Sequence, residues 1–124
     1  MGANTEVIEQ AYAAFGRGDV PAVLALLDAD VEWTSPRTLP HGGEFHGTAE
    51  VVTFFEKIGA AWDPLALEID QVDEVGDLVV GVVRAKGILR GGEPTGYGAV
   101  HVFRVSGDKI VSFHEYVDTD RVIS

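Results

Sequence analysis

From Leu65 to Asp118 the sequence alternates between apolar and polar residues, and this tract limits the possible folds most. Side chains of a strand point to opposite faces in turn, so a period of two means strands. Three short breaks, Gly76-Asp77, Arg90-Gly91-Gly92 and Ser106-Gly107-Asp108, divide it into predicted strands at 65–75, 78–89, 95–105 and 109–118. Consecutive strands joined by turns this short run antiparallel. The second half is therefore an antiparallel meander.

The first half has the spacing of helices. Thr5 is placed to cap a helix carrying Val7, Ile8, Ala11, Tyr12 and Phe15, which Gly16 and Gly18 end. Asp19 caps a second through Pro21, Val23, Leu24, Leu26 and Leu27, with the proline in the tolerated first turn. A short strand, 31–35, contains Trp33. An irregular stretch, 36–47, holds His41-Gly42-Gly43 and His46-Gly47. Thr48 then caps a third helix with Val51, Val52, Phe54, Phe55 and Ile58 on its apolar stripe. Helices followed by a meander predict an α+β domain, with helices closing a curved sheet around an apolar pocket.

The last strand carries the most informative residue. Val111, Phe113, Glu115 and Val117 share one face, and Ile110, Ser112, His114 and Tyr116 share the other. A carboxylate in the middle of an apolar face is costly unless paired or protonated. Glu115 is thus a candidate general acid or base whose pKa desolvation would raise toward neutrality, or else the structural partner of Arg84 on a neighbouring strand. On the preceding strand Tyr97, Ala99, His101, Phe103 and Val105 share a face. A two-residue turn sets Val105 opposite Ile110 and His101 opposite His114; a three-residue turn sets His101 opposite Phe113 and Ala99 opposite Glu115. Periodicity does not choose between them. His101 is a candidate donor to a substrate oxygen, or a base oriented by Glu115. Trp33, Ser35, Tyr97, Phe113 and Phe55 are candidate pocket walls, and Arg84 a candidate carboxylate ligand.

A chain of 124 residues makes one domain, and 46% hydrophobic against 23% charged residues is a folded composition. Its net charge of −11 argues against nucleic acid and anionic membrane as partners. It has no cysteine, so thiol chemistry is excluded. With neither a signal segment nor an apolar run of spanning length, the default location is cytoplasmic. His41 and His46 lack the spacing of zinc motifs, so no metal and no cofactor is expected, and their loop reads as a pocket rim or lid.

Three stretches, FGRGDVPAVLALLDADVEW (15–33), HGGEFHGTAEVVTFF (41–55) and GDKIVSFHEYVDT (107–119), resemble the SnoaL-like, ketosteroid isomerase-like proteins of the nuclear transport factor superfamily. The resemblance implies a cone of curved antiparallel sheet closed by three helices, commonly dimeric, with a pocket between them. It favours the three-residue turn. Against limonene epoxide hydrolases, Glu115 matches the catalytic aspartate, and Trp33 and Ser35 match water-binding positions. Their other Asp and Arg are replaced by Arg84 and Val82. Against ketosteroid isomerases, His101 matches an acidic donor, the base is replaced by Trp33-Thr34-Ser35, and Tyr12 is one position from the family tyrosine and would point elsewhere. What the resemblance implies is acid–base chemistry of isomerase, cyclase or hydratase type by Glu115 and His101 on a small apolar organic molecule, in a homodimer formed through the outer sheet face. The rival readings are a ligand-binding protein without turnover and a dimerising interaction module.

Overall fold

The computed structural model describes residues 2–117. Helix α1 spans Gly2–Gly16, α2 Val20–Leu24 and α3 Gly47–Ala61; the strands are β1 Leu27–Ser35, β2 Gly43–His46, β3 Trp62–Val75, β4 Leu78–Leu89, β5 Pro94–Ser106 and β6 Lys109–Val117. All six strands form one curved sheet in the order β2-β1-β6-β5-β4-β3. The meander expected from the alternation is β3 to β6. The parallel pairing of β1 with β6 brings the first strand beside the last.

Local chemistry explains most boundaries. Asp19 caps α2 as expected, its carboxylate accepting from Ala22 N–H at 3.2 Å. Helix α2 is only five residues, because Leu27 already belongs to β1. Helix α1 begins at Gly2, ahead of the predicted Thr5 cap. Helix α3 starts after His46, whose N–H is taken by the Glu50 carboxylate at 2.7 Å, and Thr48 lies inside it. Strand β2 arises in the stretch read as irregular: Phe45 turns inward opposite Trp33 of β1. The predicted last residue of β6, Asp118, lies outside the described residues.

The β5–β6 hairpin matches neither expected register. Gly107 and Asp108 both have positive φ, 51° and 70°, and form a two-residue turn with Ser106 opposite Lys109 and Val105 opposite Ile110. A bulge at Val111 then advances β6 by one, setting Phe103 opposite Phe113 and His101 directly opposite Glu115. The same bulge turns Ile110 inward, where it is fully buried, rather than onto the outer face.

The inner sheet face and the helices enclose two apolar clusters. One gathers Ile8, Val31, Val51, Phe54, Val79, Phe103, Ile110 and Phe113; the other gathers Leu39, Trp62, Val83, Ala85, Tyr97 and Ala99. Tyr12 of α1 and Ile58 of α3 pack against both. The cavity lies at this seam.

Candidate functional site

The cavity has a volume of about 70 Å³ and is lined by apolar and aromatic side chains of α1, α3 and the inner sheet face. Trp33, Phe55, Tyr97, His101, Phe113 and Glu115, all singled out from the sequence, line it. Trp33 of β1 stacks on Phe113 of β6 with ring centroids 4.1 Å apart. Parallel pairing of the two strands places these rings side by side.

On its polar side, four residues from four elements form one hydrogen-bonded chain. Tyr12 Oη lies 2.8 Å from His101 Nδ1, and His101 Nε2 lies 3.0 Å from Glu115 Oε2. Ser35 Oγ donates to the other carboxylate oxygen, Oε1, at 2.5 Å. His101 and Glu115 are 4% and 7% exposed, so these bonds form away from bulk water, where they are stronger.

Electrostatics reverse the direction expected for Glu115. Burial pushes its pKa up. The hydrogen bond and attraction of His101, the Ser35 hydroxyl and the nearby His41 ring outweigh this and hold the carboxyl below its usual range. Glu115 is therefore an anion that only accepts, which makes Nε2 of His101 the donor. In the neutral ring, Nδ1 is then free to accept the Tyr12 proton. Burial, and secondarily the Glu115 charge, pushes the Tyr12 and Tyr97 hydroxyls upward, so both remain protonated.

Several expected placements are corrected. Arg84 is on the outer face, bound through Nε and Nη2 to Asp70 at 3.0 and 2.9 Å, with Glu68 also close. It neither lines the cavity nor pairs with Glu115, because its strand partner is the outward position Gly98. Ser35 is 2% exposed and stands behind the carboxylate instead of lining the cavity. Both nitrogens of His101 are engaged, which leaves none for direct donation to a substrate. Tyr12 points into the site, contrary to the one-position displacement expected of it.

His41 was expected at the rim and is a cavity wall, 2% exposed, with its Nδ1 3.1 Å from the Trp62 indole nitrogen. The chain folds back over 36–42: a Cβ on Gly42 would fall 1.8 Å from the Pro36 carbonyl oxygen, so only glycine fits that turn. His46 instead sits at the surface, paired with Glu32. Among the described residues no group of three His, Cys, Asp or Glu side chains could hold a metal.

Tyr12, His41 and Gly81 are the site residues missed from the sequence. Gly81 lies opposite His101, and a Cβ there would sit 2.3 Å from Tyr12 Oη. A glycine in mid-strand is a recognised mark of close approach.

A curved α+β sheet closed by helices over an aromatic cavity with a buried carboxylate defines the class of fold. A SnoaL-like domain model matches residues 8–113, and the chain belongs to that family. It is similar to two NTF2-like proteins of known structure, each at 32% identity. One, of unknown function, is from Burkholderia pseudomallei (TM-score 0.90, covering 99% of this chain and 96% of that one). The other is from Burkholderia thailandensis (TM-score 0.88, 95% and 92%). A third structure, TerC co-crystallised with polyporic acid, is 25% identical (TM-score 0.85, 98% and 99%). No curated protein matches the chain at a significant level. No helix among the described residues is long and apolar enough to cross a membrane.

Proposed function

We propose that this protein binds a small, largely apolar organic molecule and moves a proton on it without a cofactor, as an isomerase, cyclase or hydratase does. The observation that carries this is the chain Tyr12–His101–Glu115–Ser35, which meets the cavity at both Tyr12 and Glu115. Its logic is that of a hydroxyl, an imidazole and an orienting carboxylate, in which the carboxylate must stay ionised. The depressed Glu115 pKa fits this role better than that of a desolvated acid. Tyr12 Oη accepts a proton from the substrate while passing its own to His101 Nδ1. The imidazolium formed is stabilised by Glu115, and the steps reverse to return the proton. Tyr97, another tyrosine of the cavity wall, would steady a substrate oxygen. TerC, with polyporic acid bound, supports an oxygen-bearing apolar ligand for this fold.

α-Hydrogen exchange of small ketones in D2O, followed by proton NMR, tests the proposal without a known substrate. The wild type should accelerate exchange, and Tyr12→Phe and Glu115→Gln should each lose on the order of 10²-fold, the usual worth of a positioned acid or base. Unchanged exchange in Glu115→Gln would sink it. A second reading, ligand binding without turnover, is favoured by the same carboxylate having both oxygens satisfied within the protein. Saturable binding with no exchange above background would select it. We also infer a homodimer through the outer sheet face, where Val82, Val100 and Tyr116 are exposed. A cytoplasmic location remains the expectation from the sequence.

A further inference from the structure

His41 is the buried titratable group that the proton relay leaves unused. The Trp62 indole can only donate, so its 3.1 Å bond requires Nδ1 of His41 to be unprotonated. A neutral imidazole with a bare Nδ1 carries its proton on Nε2. That nitrogen has no hydrogen-bond partner among the described residues, yet it is not one of the polar atoms sealed from solvent without one. Since His41 is 2% exposed and lines the cavity, the opening at Nε2 is the cavity itself.

The charged groups around the ring reinforce its neutral form. Lys57 of α3 donates to the adjacent Gly42 carbonyl at 3.1 Å, and Glu115 of β6 faces the ring across the cavity. Burial and the Lys57 charge push the His41 pKa down, and Glu115 opposes them only in part. Among the described residues the cation acting on the ring, Lys57, does not line the cavity, whereas the Glu115 anion does. An anionic ligand group would meet Glu115 unfavourably, whereas a neutral acceptor would not.

We propose that His41 is a second substrate-contacting residue, whose neutral imidazole donates Nε2–H to the carbonyl oxygen of a ketone or related uncharged oxygen compound. This rests on the cavity being the acid–base site. Donation to the carbonyl oxygen polarises the C=O bond and accepts the charge that develops there as Tyr12 takes the neighbouring proton. A neutral donor suits this task because it gains strength from charge that appears only in the transition state.

Acetophenone and its oxygen-free isostere α-methylstyrene provide the test, with binding followed by fluorescence and NMR. Wild type should prefer the ketone, and His41→Leu should cut that preference about tenfold, the worth of one neutral hydrogen bond. His41→Gln, whose amide N–H can reach the Nε2 position, should keep most of it. Nitrogen NMR of the wild type provides a check that needs no folded variant. The His41 Nδ1 signal should be that of an unprotonated nitrogen, and Nε2 should move with acetophenone and not with α-methylstyrene. Equal preferences in wild type and His41→Leu, a protonated Nδ1, or no saturable binding of acetophenone would each overturn the assignment. If ketone selectivity persists while Glu115→Gln leaves exchange unchanged, the relay fails and His41 stands as a binding residue only. If Glu115→Gln loses exchange and His41→Leu alters nothing, the reverse holds.

Discussion

Adding one methyl group at Gly81 should uncouple the relay without replacing any ionisable residue. In Gly81→Ala the new Cβ would lie 2.3 Å from Tyr12 Oη and 3.2 Å from Cζ, against an ordinary contact of 3.4 Å or more. The phenol must therefore withdraw by about 1 Å, enough to break its 2.8 Å bond to His101 Nδ1. Two buried groups lose their partner, at about 1–3 kcal/mol. Replacing glycine in a strand returns about 0.5–1 kcal/mol through the unfolded chain, so the net loss is about 1–2 kcal/mol. Urea unfolding should show it as a midpoint shift on the order of 1 M or less. The decisive comparison is with Tyr12→Phe, which lacks the oxygen that the methyl group strikes. In that background Gly81→Ala should be close to neutral, giving a coupling of about 1–2 kcal/mol, and ketone exchange should fall in either single variant. If Gly81→Ala costs the same in both backgrounds to within about 0.5 kcal/mol, the two residues do not interact as described.

Two other outcomes are expected. The Glu115 pKa is lower folded than unfolded, so its contribution is present above the unfolded value of about 4.3 and is lost as pH falls through the folded one. Ser35→Ala removes one donor behind that depression and should cost about 1–3 kcal/mol near pH 7, less at pH 3; an equal loss at both pH values would contradict it. The outer-face homodimer predicts a sedimentation mass twice the 13.3 kDa chain, reduced to one chain by Val100→Asp. A wild type that stays monomeric at high concentration would remove that interface.

The sheet was legible because four long strands repeat one simple period between glycine turns, and the helices because their apolar spacing is regular. The pairing within the last hairpin was not. Val111 and Ser112 both suit a strand, so nothing in the pattern marks the extra residue that shifts His101 onto Glu115. Arg84 was legible in principle: Val79, Val83 and Ala85 are its strand's buried set, and Arg84 falls between them. Proximity in sequence alignment suggested a pocket role that strand parity denies. Tyr12 lies within the apolar stripe of α1, yet its polar partner is 89 residues away and invisible to local spacing. His41 had still less signal. A loop histidine beside two glycines looks exposed, and only the fold-back over 36–42 buries it against Trp62.

The bulge at Val111 also bears on how such a scaffold changes its chemistry. Taking Val111 into the ladder as an ordinary paired residue would leave the turn, Ile110 and the rest of the sheet in place, while shifting everything beyond it on β6 by one position. His114 and Tyr116 would then present to the cavity, and Glu115 to solvent. Forming or ironing out one bulge here exchanges one set of reactive groups for another in a step, where substitution would need several. Relatives that differ by one residue in this hairpin should accordingly be aligned by the face each residue takes, since a gap moved by one position reassigns the acid.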